Sequence, residues 1–174
     1  QFRLEQARSF VWGQQPCLAN FTSEQLTKRT DELDFIRRLA TLRNKALPYL
    51  LHGTFIRPPD LDIPEIEIAM SRLSIYAGQH DAVQEYKKSV PQLLLSAWRN
   101  ANGNIAVPVV NIGDKPMEIT LHLNSAEHGL PNQGIAYKIL PDERTEIAHF
   151  DKGITVITDT INGADAAIYE FISE

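Results

Sequence analysis

The chain divides by the period of its apolar residues: longer runs with a helical period fill the first half, and short alternating runs separated by turn residues fill the second. In the first half, the apolar stretch from Ser9 to Trp12, closed by Gly13 and Pro16, reads as a buried strand ending in a polar loop. Such a strand needs neighbours on both sides, and the eight residues before it cannot supply them. The expectation is therefore a segment of something larger. Thr22-Ser23-Glu24-Gln25 offers a capping-box start, and Thr30-Asp31-Glu32 opens a longer helix with Leu33, Ile36, Leu39, Ala40 and Leu47 on one side. Pro48 and Gly53 end that pattern, and Tyr49 to Ile56 runs on as a short apolar segment into the turn Arg57-Pro58-Pro59-Asp60. Glu65 to Met70 alternates like a strand, whereas Asp81 to Lys88 reads as a polar helical turn or a loop.

From Pro91 onward strands are expected at Leu93 to Arg99, Ile105 to Ile112, Met117 to Leu123, Gly134 to Leu140, Arg144 to His149, Ile154 to Thr158 and Ala166 to Ile172. Asn102-Gly103 supplies the positive φ angles of a tight hairpin between the first two, and Pro108 marks an edge or a bulge. Met117, Ile119, Leu121 and Leu123 share one face of their strand, with Glu118, Thr120, His122 and Asn124 on the other. The fold expected is α+β: a helical part over residues 1–90 and an antiparallel β-sandwich over residues 91–174.

Composition narrows the function. With 43% hydrophobic residues, 174 residues can bury a real core. A net charge of -5 and no basic run beyond Lys87-Lys88 exclude counterion-driven nucleic-acid binding as an expectation. No stretch has the roughly 20 apolar residues that cross a bilayer, so no membrane partner is expected of this segment. Cys17 is the only cysteine, so no internal disulfide forms, and a quiet buried thiol is expected. The compartment stays open.

Certain motifs carry a resemblance. The order SFVWGQQP, DELDFIRRLATLRNKALPYLLHG, FIRPPDL, SAWRNANGNIAVPVVNIGDKPMEITLHL and AAIYEF is similar to the C-terminal end of bacterial barrel-type glycoside hydrolases, with an α-galactosidase-like or α-amylase-like layout. The resemblance implies the last strand and helices of a (β/α)8 barrel followed by a small all-β domain, and it implies carbohydrate as the partner. On this reading the remainder of the barrel, or a second copy, covers the helices.

Glycoside hydrolysis needs two rigidly held carboxyl groups, and the one barrel strand expected here ends in Trp12-Gly13-Gln14-Gln15, which offers amides and no acid. The catalytic pair is expected upstream, so this segment alone is expected to be inactive. Trp12 can stack on a sugar ring, and Gln14 and Gln15 can hydrogen-bond hydroxyls. The plainer reading packs Trp12 under the helices. Asp60, Asp62, Glu65 and Glu67 fit a solvated loop and strand face better than a calcium loop, because Pro64 falls where ligands should converge. His52, His80, His122, His128 and His149 show no metal-ligand spacing, so neither metal nor cofactor is expected. Trp98, Tyr137, Phe150, Tyr169 and Phe171 raise the alternative of a non-catalytic carbohydrate-binding or protein-interaction module, although their setting favours core.

Overall fold

The segment Ile105–Asn111 is apolar at both parities, and all seven of its residues are buried. A strand of that kind must be covered on both faces. The computed structural model, which describes residues 1–18, 22–73, 83–130 and 132–173, shows how this is done. The helices are α1 (Phe2–Val11), α2 (Gln25–Lys28), α3 (Thr30–Lys45), α4 (Leu47–Leu50) and α5 (Ser125–His128). The strands are β1 (Thr54–Ile56), β2 (Glu65–Leu73), β3 (Val83–Pro91), β4 (Leu93–Leu95), β5 (Ala97–Arg99), β6 (Ile105–Asn111), β7 (Met117–Asn124), β8 (Gln133–Ile139), β9 (Arg144–Asp151), β10 (Ile154–Ile161) and β11 (Asp165–Ser173). All the described pairings are antiparallel.

A seven-stranded sheet runs in the order β1-β5-β6-β11-β8-β9, with β4 also paired to β6. On one face Ala106, Val110 and Ile168 meet Leu4, Phe10, Leu39 and Leu42 of α1 and α3. On the other face Val107, Val109, Tyr169 and Phe171 meet Leu121, Leu123, Ile157 and Ile161 of the β7–β10 pair. Strands β2 and β3 form a separate two-stranded arm.

The β-rich half follows the sequence pattern closely. Trp98 pairs with Ala106 across the expected hairpin. Only Gly103 takes a positive φ there, and the Asn100 side chain closes the turn by accepting the N–H groups of Asn102 and Asn104. Pro108 lies inside β6, and its carbonyl accepts from Ser96, the residue that interrupts β4 and β5. Its missing N–H therefore faces the break in the partner strand, where no ladder bond is lost.

Three expectations are corrected. Residues 9–12 are not a strand: they are the end of helix α1, whose buried Leu4, Ala7, Phe10 and Val11 recur at helical spacing. Gly13 at φ 73 ends the helix in a Schellman motif, its N–H bonding Phe10 O and that of Gln14 bonding Ser9 O. The case for missing strand neighbours falls with that strand, since Phe10 and Val11 are covered within the chain. Likewise the apolar face of α3 is covered, with Leu39 and Leu42 fully buried. The third correction is β3, a strand where a polar turn was expected, although residues 81 and 82 lie outside the described part.

One ionic cluster joins the two sheets. Asp159 on β10 accepts from Lys138 on β8 (2.6 Å), from the Tyr169 hydroxyl on β11 (2.7 Å) and from the Thr160 N–H (2.7 Å). Burial pushes the Asp159 carboxyl up, but these three donors outweigh it and hold the group below its ordinary 3.8. Burial and the adjacent carboxylate push the Tyr169 hydroxyl far up, so it stays a donor. A depressed carboxyl contributes stability that is present above its unfolded value and lost as pH falls through its folded one. Asp159→Asn should therefore lower stability by about 1–2 kcal/mol at pH 7. Urea midpoints should show that difference shrinking in acid below the ordinary carboxyl value; a difference independent of pH would contradict the assignment.

Candidate functional site at the aromatic end of the helical layer

The Val11 carbonyl at the end of α1 lacks a partner within its helix, as last-turn carbonyls do. Two donors from the sheet take it: the Ser96 hydroxyl (2.6 Å) and the Trp98 indole N–H (3.1 Å). The indole also reaches the Ser96 oxygen at 3.0 Å. Trp98 sits edge-to-face with Phe55, its register partner on β1, at 5.2 Å between ring centroids and 89° between planes.

Gly13 passes between these rings and the end of α4. A side chain there would place its Cβ 2.4 Å from the Leu50 carbonyl and 3.2 Å from the Trp98 ring, so both space and backbone conformation demand glycine. Arg43 of α3 fixes the same turn, its guanidinium donating to the carbonyls of Gly13 (3.3 Å) and Gln14 (3.2 Å). Three large apolar side chains around this contact stay open to solvent: Trp12 is 59% exposed, Leu51 56% and Phe55 53%.

Trp12 thus does not pack under the helices, which corrects the plainer expectation. Its neighbours Gln14 and Gln15 are exposed as well. Together they offer an aromatic face and two amides on a turn held rigid from three sides. Of the ring residues weighed as a binding platform, Phe150, Tyr169 and Phe171 are core, while Trp98 and Tyr137 are half-buried. The Arg144 guanidinium stacks on Tyr137 at 3.4 Å and pairs with Glu170, which also accepts from the Tyr49 hydroxyl at 2.8 Å. Burial, and then the Glu170 charge, raise the Tyr49 hydroxyl far above its ordinary range.

The other candidates are scattered. Asp60, Asp62, Glu65 and Glu67 are exposed; Asp60 pairs with Arg57 and Glu67 with Lys87. His52 and His122 lie on the surface, His149 pairs with Glu146, and His80 falls outside the described residues. Cys17 is exposed, against the expectation of a buried thiol. His128 is buried, its Nδ1 donating to the Asn124 carbonyl at 3.1 Å, a burial that its polar surroundings in sequence did not announce. Among the described residues no cluster of three or more His, Cys, Asp or Glu side chains could hold a metal ion. Leu51 and Phe55 were not singled out from sequence, and the one available signal was the pair Gly13 and Gly53, which brings both turns close to Trp98 and Arg99.

No family model matches the chain, and no curated protein matches it. Among solved structures, an alpha-amylase from Geobacillus thermoleovorans complexed with acarbose is 15% identical over 82% of this chain and 23% of its own, with a TM-score of 0.42. An alpha-amylase from Anoxybacillus is 18% identical over 83% of this chain and 23% of its own, at 0.40. Alpha-galactosidase I from Mortierella vinacea is 19% identical over 48% of this chain and 21% of its own, at 0.35. The chain thus spans less than a quarter of each of these glycoside hydrolases, and the overlap is one of partial β-rich layout. Gly13→Ala should cost about 2 kcal/mol or more, because the side chain meets both backbone and strain; a urea midpoint equal to the parent chain's would contradict the tight passage described here.

Proposed function

We propose that this chain is the C-terminal portion of a glycoside hydrolase: its β-sandwich braces the catalytic domain, the helical part belongs to the barrel, and the catalytic carboxylates come from elsewhere in the parent protein. The motif order quoted above supports the reading. The observation that carries it is the exposed Trp12 beside Gln14 and Gln15. Aromatic faces stack on the C–H faces of sugars, and amides both donate to and accept from hydroxyls, so this turn contacts carbohydrate within the assembled enzyme. The apolar rim of Leu51 and Phe55 is where the remainder of the barrel, or a second copy, seats.

The same exposed rings favour a second reading, in which the chain is a non-catalytic carbohydrate-binding module. The two differ in what the isolated chain does. A module binds glycan by itself, whereas a bracing domain presents only one edge of a larger site.

Affinity electrophoresis through soluble starch, xylan and galactomannan tests the carbohydrate assignment. The chain should be retarded in at least one gel. Trp12→Ala should weaken that retardation by about tenfold, the loss of one stacked ring. Stability should change by no more than about 0.5 kcal/mol, because Trp12 is exposed. Unchanged mobility in all three gels, or equal retardation of the variant, would overturn it.

A further inference from the structure

The arm formed by β2 and β3 has one edge that its own partner leaves open. In an antiparallel strand the N–H and C=O of a residue point to the same side, and successive residues point to opposite sides. Two contacts establish which parity faces outward. The Pro64 carbonyl accepts from the Gln92 N–H on the β3 side at 2.9 Å. The Ser71 N–H, of the opposite parity, leaves the arm and donates to the Gln1 side-chain oxygen at 2.7 Å. Ile66, Ile68 and Met70 therefore exchange hydrogen bonds with β3, and Glu67 and Ala69 present their main-chain groups to the outer edge.

That edge forms one wall of a groove of about 850 Å³, whose other wall is the start of α1 and the turn at residues 112–115. Phe2, Ile66, Ile68 and Ile112 make its apolar part. Its charges are matched inside the chain. Arg3 pairs with Asp114 at 2.6 Å, Arg29 with Glu32, and Glu67 with Lys87 at 2.7 Å.

We infer that this groove accepts an extended, uncharged polypeptide segment of a partner protein, which adds to β2 as a third strand. The chemistry of the edge selects it. Donor and acceptor pairs two residues apart repeat at about 6.8 Å, the repeat of another extended backbone. An anion would find the groove's cations already paired, and apolar side chains at alternate positions of the incoming strand meet Phe2, Ile68 and Ile112. This site is independent of the aromatic end and of the carbohydrate assignment.

The test is titration of the 15N-labelled chain with the neutral peptide acetyl-Thr-Val-Thr-Val-Thr-amide. Saturable shifts should centre on the Glu67 and Ala69 amides, and their hydrogen exchange should slow by about tenfold at saturation. Ala69→Pro removes an outward N–H and spares the β3 ladder, so it should bind about tenfold more weakly while β7 and β10 keep their spectrum. The same peptide N-methylated at alternate residues should not bind the parent chain, which keeps the test valid even if the proline variant fails to fold. Shifts centred elsewhere, no shifts at millimolar peptide, or equal binding of the methylated peptide would overturn the inference.

Discussion

A strand that is apolar on both faces cannot face water on either, and β6 imposes that requirement on everything around it. Its neighbour β11 shares the demand: Ile168 points to the helices, and Tyr169 and Phe171 point to the β7–β10 pair. The two covers differ in chemistry. The β-sheet cover is fastened by the Asp159 cluster, which ties three strands through one carboxylate. The helical cover is fastened at the end of α1, where Ser96 and Trp98 satisfy the Val11 carbonyl. Both fastenings satisfy polar groups that would otherwise be costly to bury.

The helical fastening also shapes the surface. With the indole of Trp98 turned inward to Val11 and Gly13 drawn tightly past it, Trp12 is left on the outside of the turn with Gln14 and Gln15 beside it. Rigid backbone beneath an exposed ring limits the ordering cost of binding, which is the physical basis for assigning this end to carbohydrate contact. The arm at β2 and β3 is a different kind of surface, where main-chain groups rather than rings are presented.

The second half of the chain was legible because strict alternation, Asn-Gly and Gly-Asp turns, and β-branched residues all agree from Pro91 onward. Helix α1 was misread because the window from Ser9 to Trp12 spans barely one helical turn, too short to separate a buried strand from a helix. Its period emerges only when Leu4 and Ala7 are included. Gly13, taken as the end of a strand, is the left-handed stop of a helix. Strand β3 was hidden by Gln84, Glu85, Lys87, Lys88 and Ser89, polar because the arm has little core to cover. The exposure of Trp12 and the burial of His128 are tertiary outcomes, set by neighbours far away in sequence.

The central claim is that α1 is an integral layer of this unit, closing one face of the sheet that β6 requires to be covered. Native-state amide hydrogen exchange tests it most directly. The account predicts that the N–H groups of the second half of α1, from Gln6 to Val11, exchange as slowly as those of β6 and β11 and lose protection together with them as urea is raised. Rapid exchange of α1 while β6 and β11 remain protected would contradict it.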